Sequence, residues 1–187
     1  MVIVFGGSFN PPTIAHKEIL LKINNLFNPS KIIIVPVPND YNKKDLVDVS
    51  LRIKMIRLMT DDLENVIVSD IEAKNKYRGT YAMLNNLSKY YKDLYFMMGS
   101  DQLEGIDSWI NVHSLLDEYR FIILSRGNYK VGELINKYKK NFTFVDFESK
   151  VSSTKIRTDV RKNKDFTTKE VYNFIMANKL YIGDNDV

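Results

Sequence analysis

The chain contains no cysteine among its 187 residues. This absence excludes disulfide bonds, thiol nucleophiles and metal sites built from cysteine. No apolar run approaches the ~20 residues that a membrane-spanning helix needs. The start of the chain also lacks the basic region and the cleavage site of a signal peptide. Together these absences predict a protein of the reducing cytoplasm that has no membrane partner.

A concentrated positive charge is also missing. The formal net charge is +4, and lysines occur in scattered pairs such as Lys43-Lys44 and Lys139-Lys140. Domains that bind nucleic acid usually carry a stronger basic stripe. We therefore expect a solvated surface and no nucleic-acid partner, and a small anionic substrate fits the positive surplus equally well.

Strand-like and helix-like segments alternate along the chain. The first segment is apolar at four successive positions, from Val2 to Phe5, which is typical of a parallel strand covered on both faces. Helices between strands favour right-handed crossovers and a mostly parallel sheet. The predicted strands cover residues 2–5, 31–36, 65–71, 93–99, 120–126 and 142–147. The predicted helices include one with His16 in its first turn and others at 50–62 (with Ser50 as N-cap), 80–91, 108–119 and 131–140.

This alternation, with a hydrophobic content of 44%, predicts one α/β domain over residues 1–187 with a sizeable core. The expected architecture is a Rossmann-like, doubly wound and mostly parallel sheet of five to six strands. Two further helices are predicted within residues 150–187. This segment is too short for a second domain, so we expect a C-terminal helical extension that packs on the sheet.

Three predicted strands end in polar, turn-forming residues. The first runs into "GGSFN" at 6–10, the fourth into "GSD" at 99–101 and the sixth into "SST" at 152–154. Each stretch alone is typical of a turn or a helix N-cap. Because parallel strands bring their carboxyl ends to one edge of a sheet, the three together predict a single site.

His16 occupies a special place in the first of these stretches. It falls in the first turn of a helix that follows a glycine turn, where free backbone N–H groups and the helix dipole favour an anion. Gly6 and Gly7 have no side chains, so a ligand could approach the backbone closely there.

The segments "GGSFNPPTIAH", "GSDQLEGIDSW" and "VSSTKIR" occur in this order over about the first 160 residues. In these segments the sequence resembles the nucleotidyltransferases with an (H/T)xGH motif, and within them the nicotinate/nicotinamide mononucleotide adenylyltransferases. Two features depart from the usual pattern. Ala15 replaces the usual glycine, and "PNDYNKK" at 38–44 is closer to the nicotinamide-type enzymes.

The resemblance implies that a substrate phosphate attacks the α-phosphorus of ATP and that pyrophosphate leaves. A phosphate monoester has a second pKa of roughly 6, so the nucleophile is already ionised near neutral pH and needs no general base. Catalysis then consists of positioning and electrostatic stabilisation. By resemblance, His16 and Thr13 are the catalytic donors, and Mg²⁺ arrives with ATP rather than in a dedicated protein site.

The resemblance also assigns two sets of binding residues. The mononucleotide would meet Asn10, Lys44, Thr80, Tyr81 and Trp109, with the indole stacking on the pyridine ring. The ATP-binding set comprises Gly6, Gly7, Ser8, Phe9, His16, Gly99, Asp101, Ser152, Ser153, Thr154 and Arg157.

Several residues keep a structural alternative. Trp109 is equally compatible with the core, and Arg52 matches a family position but also suits the surface. His113 is expected to be structural, and Asp61-Asp62 to be a solvated helix end.

The favoured acceptor is nicotinate mononucleotide, with nicotinamide mononucleotide as the nearest alternative. Phosphopantetheine adenylyltransferase and a non-catalytic nucleotide-binding regulator are further alternatives, and a homo-oligomer stays open.

Overall fold

The computed structural model describes residues 1–74, 76–125 and 136–182. Its centre is a parallel six-stranded sheet in the order β3-β2-β1-β4-β5-β6. This confirms the predicted α/β fold. The strands are β1 (Val2–Gly7), β2 (Lys31–Pro36), β3 (Val66–Val68), β4 (Leu94–Gly99), β5 (Arg120–Ser125) and β6 (Phe142–Asp146).

The first strand explains why the sheet is covered on both faces. Val2 and Val4 belong to one hydrophobic cluster, whereas Ile3 and Phe5 belong to the other. Because successive side chains of a strand point to opposite faces, a continuous apolar run is buried only between two layers of helices. The predicted interpretation of this run is confirmed.

Helices form the two outer layers. The α-helices are α1 (Ile14–Phe27), α2 (Val49–Thr60), α3 (Thr80–Leu87), α4 (Val112–Glu118), α5 (Ser153–Thr158) and α6 (Lys169–Ala177). One face of the sheet packs on α3 and α4 and the other on α1, α2, α5 and α6. Short 3₁₀ helices cover Ser100–Ser108, Lys139–Asn141 and Lys164–Phe166.

Some predicted boundaries were wrong. Helix α2 is capped by Asp48, whose carboxylate accepts a hydrogen bond from the Ser50 backbone N–H at 2.8 Å, so Ser50 is not the N-cap. Asn111 has a left-handed backbone (φ 56°) that separates Trp109 from α4, so the predicted helix at 108–119 begins only at Val112. The predicted helix at 131–140 lies partly outside the described residues.

The C-terminal residues pack against the body of the chain. Ile156 and Val160, with Val171 and Ile175 of α6, are buried in the same cluster as Leu20. That the whole chain is a single domain stays a prediction. Within the described residues, no helix is both long and apolar enough to cross a membrane.

The strand order of the sheet reverses between β1 and β4. From β1, the strands β2 and β3 are added toward one edge of the sheet, whereas β4, β5 and β6 are added toward the opposite edge. The carboxyl ends of β1 and β4 therefore flank the topological switch point, where ligands of such sheets bind.

Candidate active site

A cavity of about 780 Å³ opens at this switch point. Its walls come from the turn after β1, the first turn of α1 and the start of the 3₁₀ helix after β4. Seven residues of the predicted ATP-binding set line it: Gly6, Gly7, Ser8, Phe9, His16, Gly99 and Asp101. Other residues that line the cavity were not predicted from the sequence, among them Gln102, Glu104 and Phe147.

Two glycines of this wall lie close to neighbouring side chains. A Cβ on Gly6 would lie 3.0 Å from the Phe96 ring, and one on Gly99 would collide with the Asp101 carboxylate. A larger residue at either position would therefore require Phe96 or Asp101 to move. At these two points the wall is bare backbone, which a ligand can approach.

His16 presents one ring nitrogen to a hydrogen-bond network within the protein. Its Nδ1 accepts the backbone N–H of Thr13 at 3.0 Å and lies 2.8 Å from the Thr13 hydroxyl. Because Nδ1 accepts a hydrogen bond, the proton of the neutral imidazole is on Nε2. His16 therefore has a free N–H donor at the cavity.

The surroundings of His16 keep its ring neutral. Ring centroids of Phe9 and Phe5 lie 5.0 Å and 6.1 Å from the imidazole. This burial lowers the pKa of His16 from its ordinary value of 6.5 to about 4. At neutral pH the residue donates a hydrogen bond without carrying a charge.

Thr13 lies directly beside His16. Its side chain is 1% exposed and its hydroxyl lies against His16, so it does not line the cavity. Thr13 orients the imidazole, and the contact of its hydroxyl with the phosphate stays a prediction.

The Ala15 substitution leaves the first turn of the helix intact. Ala15 is buried within α1, and the N-cap Thr13 keeps an extended backbone with φ −129°. The helix N-terminus that favours an anion therefore forms without the usual glycine.

The third signature meets the first signature directly. Ser153 Oγ donates to the Pro11 carbonyl, and Arg157 Nη1 to the Asn10 carbonyl, both at 2.7 Å. Ser152 is the N-cap of α5 and accepts the Lys155 backbone N–H at 3.3 Å. Arg157 also donates to Thr154 at 3.3 Å. The predicted residues come together, but in this structure Ser153 and Arg157 hold the turn that precedes α1.

Lys43, the neighbour of the predicted Lys44, contacts the turn after β1, and the role of Lys44 stays a prediction. The Lys43 ammonium group donates to Ser8 Oγ at 2.9 Å. Burial and the positive charges of Arg157 and Arg52 lower the pKa of Lys43, while Asp101 opposes this shift. The sequence offered no signal to separate two adjacent lysines.

Arg52 is completely buried, so the surface alternative was wrong. Its guanidinium group donates to the carbonyls of Val47 at 2.7 Å, Ser8 at 2.9 Å and Val37 at 2.7 Å. Burial lowers the pKa of Arg52, whereas Tyr181 and Asp48 raise it. Through its bond to the Ser8 carbonyl, Arg52 holds the turn after β1 and brings a positive charge next to it.

Asn10 was predicted to bind the mononucleotide, but its side chain points into the protein. Its amide nitrogen donates to the Asp45 carbonyl at 2.7 Å. Its amide oxygen accepts the Val47 N–H at 3.2 Å and the Tyr181 hydroxyl at 2.7 Å. With 1% exposure its side chain links loops of the protein, and its contact with the mononucleotide stays a prediction.

The remaining residues that were predicted to bind the mononucleotide lie on the face of the sheet that packs on α3 and α4. Trp109 is half-buried and packs edge to face on Phe96, with centroids 6.2 Å apart. Thr80 opens α3 after Gly79, whose φ is +88°. The Tyr81 hydroxyl donates to Glu118 at 2.9 Å, so its phenol group is turned toward α4. The backbone N–H of Tyr81 lies at the helix start, and the contact of Thr80 and Tyr81 with the mononucleotide stays a prediction.

The residues expected to be structural lie outside the cavity. His113 is exposed on α4, and Asp62 pairs with Lys17 at 2.8 Å on the surface. Among the described residues, no group of three or more His, Asp or Glu side chains could hold a metal.

Comparisons with known proteins agree with this geometry. A sequence profile of the cytidylyltransferase-like family matches residues 4–159. A protein of Acholeplasma laidlawii named "probable nicotinate-nucleotide adenylyltransferase" is 43% identical over 183 residues, which cover 97% of each chain. A protein of the same name from Clostridium acetobutylicum is 32% identical over 195 residues, covering 96% of this chain and 98% of its own.

A solved structure extends the agreement to the fold. The Plasmodium falciparum nicotinic acid mononucleotide adenylyltransferase complexed with NaAD superposes with a TM-score of 0.81, at 26% identity and 96% coverage of both chains. The family profile spans all three signatures, and both sequence relatives span nearly the whole chain. The chain belongs to the cytidylyltransferase-like family and, within it, to the nicotinate-nucleotide adenylyltransferases.

Proposed function

We propose that the protein transfers AMP from ATP to nicotinate mononucleotide, which gives deamido-NAD and pyrophosphate. The observation that carries this proposal is the neutral His16 donor at the switch-point cavity, in a chain whose relatives are named for this reaction. The reaction fits a cytoplasmic enzyme.

The residues of the cavity suit charge stabilisation. An oxygen of the mononucleotide phosphate attacks the α-phosphorus, and the bond to the bridging oxygen of pyrophosphate breaks. His16 donates its Nε2–H to a non-bridging α-phosphate oxygen, where negative charge increases in the transition state. A neutral donor suits this role because it requires no proton transfer.

Lys43 and the turn after β1 position the phosphates. The Lys43 ammonium donates to the hydroxyl of Ser8, which lines the cavity, and the Arg52 guanidinium donates to the Ser8 carbonyl in the same turn. Both charges attract a polyanion. Asp101 lines the cavity and would accept a hydrogen bond from a ribose hydroxyl or from the base.

Mg²⁺ fits this site as an ion carried by ATP. Two carboxylates, Asp101 and Glu104, line the described cavity, and Mg²⁺ in such sites commonly keeps several waters and binds substrate phosphates. When bound, the ion would neutralise charge on the leaving pyrophosphate.

The start of α3 favours nicotinate over nicotinamide. Its N-cap is Gly79, so no side chain caps the backbone N–H groups of the first turn. These donors and the positive end of the helix dipole suit a carboxylate. A carboxamide also donates, so it needs a matched acceptor.

The segment "PNDYNKK" no longer argues for nicotinamide. Asn39 binds Asp48 and the Val49 N–H, and Asp40 accepts the Tyr77 N–H at 3.2 Å. These side chains join loops of the protein, so the segment's resemblance is explained without the pyridine substituent.

The experiment is a pyrophosphate-release assay with ATP and each acceptor in turn. We expect a higher kcat/KM with nicotinate mononucleotide, by at least several-fold, because mispairing a buried polar group costs about 1–3 kcal/mol. Phosphopantetheine should give no release above background. Equal or better use of nicotinamide mononucleotide would reverse the acceptor assignment, and release with neither pyridine substrate would refute the proposed reaction.

A further inference from the structure

The turn at residues 10–12 connects β1 to α1 and thereby sets where Thr13 and His16 lie. Pro11 and Pro12 have no backbone N–H groups, so the turn cannot be anchored through donors of its own there. Its carbonyls are anchored instead. Arg157 donates to the Asn10 carbonyl and Ser153 to that of Pro11, as described above.

Thr167 supplies the third of these bonds. Its hydroxyl donates to the Pro12 carbonyl at 2.9 Å, directly before Thr13 in the chain. Thr167 is 5% exposed and lies between the 3₁₀ helix at Lys164–Phe166 and α6. It lies beyond the third signature and beyond the residues that the family profile matches.

Tyr181 anchors the same turn through a side chain. Its hydroxyl donates to the Asn10 amide oxygen at 2.7 Å, and that amide holds Asp45 and Val47. The bond thus connects the turn to the loop that follows Lys43.

The backbone around Tyr181 is unusual. Lys179 and Tyr181 have φ values of 51° and 60°. Positive φ is rare for a bulky residue and persists only where the surroundings enforce it. The chain reverses after α6 and so brings the phenol group to Asn10, where burial raises the pKa of Tyr181.

We propose that Thr167 and Tyr181 are positioning residues that hold the turn at 10–12 and, through it, the His16 imidazole in its reactive place. The kinetic part of this inference rests on the proposed function. A donor that shifts by a fraction of an ångström loses its alignment with the α-phosphate, so loosening the turn lowers kcat.

Matched substitutions separate positioning from general stability. Thr167→Val removes the hydroxyl and keeps the shape, and Thr167→Ser restores the hydroxyl. The control is Thr60→Val, because Thr60 is equally buried and donates to the Ile56 carbonyl at 2.9 Å within α2. Tyr181→Phe is compared with Tyr95→Phe. In the wild-type protein the Tyr95 hydroxyl accepts a hydrogen bond from Arg120, at the start of β5.

We expect Thr167→Val to lower kcat about tenfold and Tyr181→Phe to lower it about three- to tenfold. Thr167→Ser should retain most of the activity, and Thr60→Val and Tyr95→Phe should leave kcat unchanged. Thermal unfolding of all five variants shows whether stability losses match within each pair. Equal kcat in Thr167→Val and Thr60→Val would overturn the proposal.

An NMR measurement tests the same claim without turnover. The chain has two histidines, so the His16 imidazole resonances can be assigned by difference with His113→Gln. We expect them to shift in Thr167→Val and to stay in place in Thr60→Val. If the wild-type protein transfers no AMP to either acceptor, the proposed function fails and this comparison alone decides: a shift confined to Thr167→Val supports positioning, and unchanged resonances refute it.

Discussion

The two sides of the site are built differently. On the side of α1, the functional turn is held by buried and fully bonded side chains, among them Asn10, Thr13 and Arg52. On the side of α3, Gly79 caps the helix without a side chain and Trp109 is half-buried. The first side is fixed before any substrate arrives, as charge stabilisation requires. The second side has a helix N-terminus without a side-chain cap and a partly exposed indole.

The two sides also differ in charge. Lys43, Arg52 and Arg157 surround the turn after β1 and influence one another electrostatically. Beside the segment that leads into α3, burial and the charge of Asp40 raise the pKa of Glu72 to about 7. Phosphates are therefore attracted to the α1 side. The N-terminus of α3, which we propose as the contact of a nicotinate carboxylate, lies near these acidic groups, because Asp40 accepts the Tyr77 backbone N–H and Tyr77 hydrogen-bonds the Thr80 side chain.

The largest expected effect is on the α1 side. His16→Ala should lower kcat by about two to three orders of magnitude, the usual loss when one transition-state donor is removed. Unfolding in denaturant checks that the variant is folded, and steady-state kinetics gives kcat. A folded variant with nearly normal turnover would refute the role of His16.

Arg52 should contribute mainly to stability. Arg52→Leu leaves the carbonyls of Ser8, Val37 and Val47 without their partner, which we expect to cost about 3 kcal/mol or more in the free energy of unfolding. The control is Arg57→Leu, an exposed arginine of the same helix, where the change should stay within about 0.5 kcal/mol. Similar unfolding free energies for both variants would contradict this account of the turn.

The adjacent lysines should behave unequally. Lys43→Ala should weaken ATP binding about tenfold, since ~1.4 kcal/mol is a modest loss for a partly buried charge next to phosphates. Lys44→Ala removes the same charge one residue along and should change the Kd far less. Titration calorimetry with a non-hydrolysable ATP analogue measures both values, and an equal loss in both variants would show that only net charge matters.

A smaller effect is expected on the α3 side. Trp109 is the single tryptophan, so a pyridine ring that stacks on it should change the intrinsic fluorescence. Saturating nicotinate mononucleotide should alter the emission intensity or its maximum, and phosphopantetheine should not. If neither pyridine mononucleotide changes the spectrum, Trp109 is only a core residue packed on Phe96.

The sequence was sufficient to predict the parallel sheet and to predict that the three signatures lie together at one edge of it. An uninterrupted apolar run such as Val2 to Phe5 is determined by local burial, and parallel strands bring their ends together in any such fold. For the same reason His16 could be placed at the cavity from its position after the glycine turn.

Side-chain partners could not be predicted in the same way. Arg52 is buried because carbonyls from three separate segments surround it, and spacing in the sequence does not encode that arrangement. Thr13 and Asn10 were assigned to substrates by resemblance, and nothing in the sequence indicated that both also bond groups within the protein. Choosing Lys43 over Lys44 depends on the loop path, which only the folded chain determines.

The most direct test of this comparison is an NMR titration of His16 in the free protein. We predict a midpoint of about 4, well below the ~6.5 of an unfolded chain. Between these two pH values the unfolded state binds more protons than the folded state. The contribution of the neutral imidazole to the free energy of unfolding therefore has its full value above pH ~6.5 and decreases as the pH falls toward 4. His16→Gln should abolish that part of the pH dependence. A midpoint at or above 6.5 would contradict a fixed, neutral donor on the α1 side.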